Sequence, residues 1–165
     1  MPLRLQVLDR FEEGMRADIF APPPGDRAYK VFRRNIENAD PKIAQRAFTS
    51  EITAYGIATR DPRLEPHVPK FFGQVGISDI LGHDGTDISR RYWLDLCYGM
   101  ARLQADPQEC KVTYLFEGPD WHLVEPLVGQ FGEAGIDMGD ASVLYWQTKH
   151  PMFVDFRMNQ GASAC

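Results

Sequence analysis

The sequence predicts an α+β fold: a five-stranded antiparallel sheet carrying one helix, then a second helix and a β-hairpin. Three observations carry this reading. The first thirty residues alternate apolar and polar positions between proline- and glycine-rich turns. A long segment after Pro41 lacks glycine until Gly56 and repeats apolar residues at helical spacing. Near the end, the short apolar runs "ASVLYW" and "PMFVDF" flank the polar stretch "QTKH", the pattern of a hairpin.

The elements follow in order. "LRLQVLDRF", "RADIF" and "AYKVFRR" read as a three-stranded meander, with "APPPGDR" as the turn into the third strand. Asp40 is an N-cap and Pro41 suits the first helical position, so a helix is expected from about 41 to 59. Its apolar stripe is Ala44, Ala47, Phe48, Ile52 and Tyr55, and Glu51 falls inside it. "HVPKFFGQVGISDI" and "RRYWLDLCYGMARL" supply two further strands, joined by "LGHDGTDIS". The pattern weakens from Gln104 to Gly118, after which "PDWHLVEPLVGQFGEAGI" reads as a helix interrupted or started late by Pro126.

Composition bounds the function. At 165 residues, 44% hydrophobic and 25% charged, the chain is expected to form a single compact domain. A net charge of −5 argues against nucleic acid as a partner, because neutralising phosphates requires clustered Lys and Arg. No apolar stretch reaches the ~18 residues of a bilayer span, so no membrane insertion is expected and the location reads as cytoplasmic. Cys97, Cys110 and Cys165 form no CxxC pair, and the four histidines lack metal-ligand spacing. Reduced thiols and no structural zinc are expected.

Two features call for chemistry. Asp155 interrupts the apolar run Met152, Phe153, Val154 and Phe156, where a carboxylate is costly unless paired or bound to a cation. An inward Glu51 on a helix over a sheet likewise requires a cation, and Lys30 of "AYKVF" is the nearest candidate in this architecture.

The succession of three strands, a lysine on the third, a helix with an inward glutamate, two strands, a helix and a hairpin ending in Asp-Phe resembles the protein kinase-like fold. In "FEEGMRADIF", Gly14 precedes Ile19 as the middle glycine of the kinase Gly-rich loop precedes its valine, although Glu12 and Ala17 stand at the flanking glycine positions. Lys30 resembles the phosphate-binding lysine and Glu51 its helical partner. "GIDMGDASVLYW" places Asp137 five residues before Ser142, and Asp155 follows thirteen later. Kinases space a catalytic aspartate, a metal-binding asparagine and the aspartate of Asp-Phe-Gly in that way. A second register aligns "MGD" with the His-Gly-Asp of small-molecule phosphotransferases and makes Asp140 the base. Only Asp137 preserves both spacings. The departures are Ser142 for asparagine, Gly135-Ile136 before the catalytic aspartate, and Arg157 for the glycine of Asp-Phe-Gly.

The resemblance implies a small lobe over about 1–103 and a reduced second lobe over about 104–165. It implies ATP binding by Gly14, Ile19 and Lys30, catalysis by Asp137 with Lys30 and Glu51, and Mg²⁺ or Mn²⁺ held by Asp155, Ser142 and Asp140. Trp93, Tyr92 and Tyr98 could line an adenine pocket, but strand aromatics more often fill a core. Ten residues follow Asp155, too few for an activation segment, so the resemblance is to minimal bacterial effector-type kinases, with a protein as substrate or partner and delivery into a host cell as a second location. A catalytically inactive pseudokinase that binds protein, and a kinase-fold enzyme transferring AMP, are the alternatives.

Overall fold

A computed structural model describes residues 3–34 and 40–159. The chain divides into two compact units, Met1–Thr49 with Phe71–Arg102, and Ser50–Lys70 with Leu103–Cys165.

The first unit contains β1 (Leu3–Gln6), β2 (Arg10–Glu13), β3 (Ala17–Phe20), β4 (Arg27–Arg33), the first half of α1 (Pro41–Arg60), β5 (Phe71–Gln74), β6 (Ile77–Leu81) and β7 (Tyr92–Ala101). The expected five-stranded antiparallel sheet is present in the order β2-β3-β4-β7-β5. The alternation of β4 sorts its side chains onto two faces. On one, Phe32 meets Phe48 of α1 edge-on at 5.9 Å, and Phe48 and Phe71 both lie against Tyr98. On the other, Val31 joins Leu5, Phe20, Ile77, Ile80, Tyr92 and Cys97 in a second buried cluster.

That second cluster explains a correction to the expected meander. "LRLQVLDRF" is not one strand, because a 3₁₀ turn at Val7–Asp9 separates β1 from β2. The run after Phe71 splits as well, and β1 pairs with β6 in parallel, with Leu5 opposite Ile80. Both side chains are fully buried. Covering the second face with these two apolar residues outweighs continuing the main sheet, since fully burying an aliphatic side chain is worth about 1.5–3 kcal/mol.

Helix α1 ends one residue later than expected, and its capping is as read. Asp40 accepts a hydrogen bond from the Lys42 amide at 2.8 Å, and its carbonyl accepts from Ala44 at 3.1 Å. Of the expected stripe, Ala44, Phe48 and Tyr55 are buried and Ala47 and Ile52 are half-buried.

The second unit holds the rest of α1, then β8 (Cys110–Lys111), α2 (Val112–Leu115), α3 (Glu125–Glu133), β9 (Ile136–Asp137), β10 (Ser142–Leu144), β11 (Met152–Val154) and β12 (Arg157–Met158). Pro126 lies in the first turn of α3, where its missing amide hydrogen costs nothing, so the helix starts late rather than being interrupted. The expected hairpin is β10–β11, extended by β8 into three strands, while β9 and β12 form a separate antiparallel pair. The core is aromatic: Phe131 packs on Phe153 and Phe156, and Phe156 lies 4.3 Å from the ring of Tyr55.

Tyr55 also ties the second half of α1 to the second unit. Residues 50–70 belong with the second unit, because Ser50 and Tyr55 bond residues beyond 154: Met158 donates its amide to the Ser50 hydroxyl at 3.0 Å, and Asp155 donates to that of Tyr55 at 3.3 Å. Cys97 and Cys110 are free thiols, and Cys165 lies outside the described residues. No helix among the described residues is long and apolar enough to cross a membrane.

Candidate functional site

Asp155 follows the last residue of β11 and adopts φ +62°, a left-handed conformation that non-glycine residues rarely take. It turns the chain out of the hairpin, and the next residues bury Phe156 and start β12. Such a conformation costs about 1–3 kcal/mol and persists where surrounding contacts determine it, commonly at functional sites. Here the contacts are the Tyr55 hydroxyl on the Asp155 amide and the Ser50 hydroxyl on Met158.

The turn at Asp155 feeds β12 into antiparallel register with β9, so Arg157 stands opposite Asp137 and Met158 opposite Ile136. The segment between β9 and β10 carries the other acidic candidate, Asp140. Asp137 accepts a hydrogen bond from the Gly139 amide through Oδ1 at 2.8 Å, and its Oδ2 lies 3.8 Å from Arg157 Nε. Asp140 Oδ2 is 3.0 Å from Arg157 Nη2. The expected role of Asp140 as a metal ligand thus meets a competing partner in Arg157.

Ser142 is 7% exposed and pairs through its backbone with Val154 and Lys111. It opposes the residue immediately before Asp155. The chain register therefore brings Asp137, Asp140, Ser142 and Asp155 into one neighbourhood of the second unit.

Glu109 lies within electrostatic reach of Asp155. Glu109, just before β8, is solvent-exposed, yet partial desolvation, Asp155 and Asp106, in that order, hold its carboxyl above the ordinary glutamate range while Lys111 opposes them. Asp106 is fixed in turn: it accepts the Tyr145 amide at 2.7 Å, and Trp146 Nε1 donates to the Gln108 carbonyl at 2.8 Å. Segment 104–109, which carries no clear periodicity, is in this way strapped along the hairpin.

The candidates Gly14, Ile19 and Lys30 lie in the first unit. Ile19, 7% exposed, is the direct cross-strand partner of Lys30, and Tyr98 is its partner on the other side. Lys30 is half-buried, with Nζ 5.8 Å from the Phe32 ring and 6.0 Å from that of Tyr98, within range of cation–π attraction. Glu51 is half-buried on the half of α1 that belongs to the second unit.

Gly14 closes a tight turn: its amide donates to the Ala17 carbonyl at 2.9 Å, and Arg33 donates to the Gly14 and Met15 carbonyls. That amide is thereby engaged within the turn, which differs from the phosphate contact the sequence suggests. Of the aromatic candidates, Tyr92 and Tyr98 are core residues, and Trp93 stacks under the Arg34 guanidinium at 3.9 Å.

Sequence reading missed a buried charge. Asp18 is completely buried, accepts the Tyr92 hydroxyl at 2.7 Å, and lies 3.1 Å from Arg33 and 3.5 Å from Arg10. Burial and the adjacent carboxylate of Asp18 raise the Tyr92 phenol well above its ordinary range, so it remains a donor. The signal was present in "RADIF", where Asp18 alternates with Ala17 and Ile19 yet all three are buried. Arg157 was visible only as a departure from glycine; its pairing opposite Asp137 belongs to the separate β9–β12 ladder, which is shifted from the hairpin register.

Comparison of the chain with protein-family models finds no match, and comparison with curated proteins finds none either.

Proposed function

We propose that the chain is a minimal kinase-like phosphotransferase that uses ATP and a divalent cation, Mg²⁺ or Mn²⁺, with a protein hydroxyl as acceptor. One observation carries the reading: the hairpin ends on Asp155 in a left-handed conformation, and its continuation, β12, pairs with the strand that bears Asp137. The order of elements around it, from the strand with Lys30 through α1 with Glu51 to α3 and the hairpin, supports the same fold.

In this reading the cation is held at Asp155, whose carboxylate is half-buried. Among the described residues no group of three His, Cys, Asp or Glu side chains gathers to hold a metal, so phosphate oxygens would have to complete its shell. One or two carboxylates suffice for Mg²⁺ when phosphate oxygens complete its shell. Bound ATP with its metal would supply the transferable γ-phosphoryl group. Lys30 would neutralise phosphate charge, and Ile19, its cross-strand partner, would give an apolar contact beside it. Asp137 would orient the acceptor hydroxyl and take its proton at Oδ2.

The test is transfer from γ-labelled ATP with Mg²⁺ or Mn²⁺, scored as self-labelling and labelling of a cell lysate, for the unaltered chain, Lys30→Met and Asp155→Ala. Labelling by the unaltered chain alone supports phosphotransfer. No labelling by any of the three, with folding confirmed by circular dichroism, rejects it, and α-labelled ATP then tests transfer of AMP. A second reading, a pseudokinase that binds protein without turnover, is favoured by the turn at Gly14, whose amide and carbonyls are already engaged.

A further inference from the structure

Two aspartates compete for the role of base, and the contacts around them are unequal. Asp140 is held twice. Its carboxylate pairs with Arg157 at 3.0 Å, and its main-chain carbonyl accepts a hydrogen bond from Lys111 Nζ at 3.0 Å. Arg157 comes from β12 and Lys111 from β8, so Asp140 is tied to strands on both sides of the chain segment that carries it.

Asp137 sits in the β9–β12 ladder opposite Arg157, but its carboxylate is held more loosely. Its Oδ1 takes the Gly139 amide, whereas Oδ2 stands 3.8 Å from Arg157 Nε, beyond hydrogen-bond distance. The Asp137 side chain is 37% exposed, so this oxygen belongs to a group that an acceptor can reach.

We propose that Arg157 is a positioning residue that divides the work between the aspartates: it anchors segment 138–141 through Asp140 and leaves Asp137 Oδ2 to accept the proton. The inference rests on the phosphotransfer reading and deepens it. It also gives a reason for an arginine two residues beyond Asp155. Paired with Asp140, the guanidinium withholds that carboxylate from the cation and from the acceptor, so a single acid serves as base. Because the Asp140 side chain is 70% exposed, the pair adds little to global stability. Its effect is local order, which separates it from a purely structural contact.

The experiment uses the full chain and two readouts. Turnover from γ-labelled ATP, with kcat and KM, is measured for Asp137→Asn, Asp140→Asn, Arg157→Ala, Arg157→Lys and the Arg157→Ala/Asp140→Asn double variant. Amide hydrogen exchange over residues 138–141 is measured for the same set without ATP. Asp137→Asn should lower kcat by roughly 10²-fold or more, leave KM for ATP unchanged and leave exchange of residues 140 and 141 unchanged, since only the Gly139 amide bonds its carboxylate. Asp140→Asn and Arg157→Ala should each lower kcat by less, speed exchange of 138–141 and combine without further loss. Arg157→Lys should restore part of the protection. A loss in Asp140→Asn as large as in Asp137→Asn, or additive losses in the double variant, overturns the proposal. Absence of turnover in the unaltered chain rejects the phosphotransfer reading and the role of Asp137 with it. Exchange in Arg157→Ala and Asp140→Asn equal to that of the unaltered chain rejects the anchor whatever the activity.

Discussion

The amide of Asp155 donates to the hydroxyl of Tyr55 across a sequence separation of 100 residues, so a helix side chain holds the backbone of the residue proposed to bind the cation. That relationship makes Asp155 a site where stability and function oppose each other. Glycine accepts φ +62° without a steric penalty, whereas aspartate and alanine do not. Asp155→Gly is therefore expected to be more stable than Asp155→Ala by about 1 kcal/mol, seen as a higher Tm, while both lose metal-dependent labelling. Tyr55→Phe, which removes the hydroxyl and keeps the ring, should lower stability by about 1 kcal/mol.

Asp18 supplies a second prediction. Removing it leaves the Tyr92 hydroxyl without its acceptor, but Arg10 and Arg33, 26% and 21% exposed, still reach water. Asp18→Ala should therefore cost about 2–4 kcal/mol, near the lower part of the range for breaking a buried pair. Tyr92→Phe should cost about 1–2 kcal/mol. Urea denaturation of the two single variants and the double variant would give less than the sum, since they share one network.

Glu109 sets a pH dependence. Its folded carboxyl sits above the ordinary value of 4.5, first through desolvation and then through Asp155 and Asp106, so the folded state holds a proton that the unfolded chain has released. Stability from this group is thus lost as pH rises from the ordinary value through the raised one. Glu109→Gln should be more stable than the unaltered chain at neutral pH, and the difference should vanish below pH 4.5, where both states carry the proton. Thermal unfolding from pH 4 to pH 8 checks it, and a gain at low pH instead would refute the sign.

The turn at Gly14 gives a steric prediction. A Cβ there would lie 2.8 Å from the Ala17 carbonyl oxygen, a backbone atom that cannot step aside without breaking the Gly14–Ala17 hydrogen bond. Gly14→Ala should destabilise by about 1–3 kcal/mol, the range for overpacking, and hydrogen exchange at residues 13–17 should accelerate.

Local signals were legible where the physics is local. The cap at Asp40, the delay at Pro126 and the hairpin of β10 and β11 depend on neighbours a few residues away, and each is where the sequence puts it. Long-range pairing was not legible. Nothing in "LRLQ" marks it as the parallel partner of "SDIL", because the register depends on burying Leu5 beside Ile80. The same holds for the candidate site. Spacing singled out Asp137 and Asp155, but the partners that distinguish Asp137 from Asp140 come from strands β8 and β12 and emerge only with the fold.

The β1–β6 ladder has a consequence for the order of events during synthesis. Arg4 and Asp79, joined at 2.9 Å, are 75 positions apart, so β1 is translated well before β6 and cannot find its place until most of the first unit has been made. Until then Leu5 has no buried site, and closing so wide a loop must be offset by contacts that form last. Nascent chains arrested before Ile77 should therefore be more readily cut by protease near residues 3–6 than chains arrested well beyond Ala101, once β7 has cleared the exit tunnel.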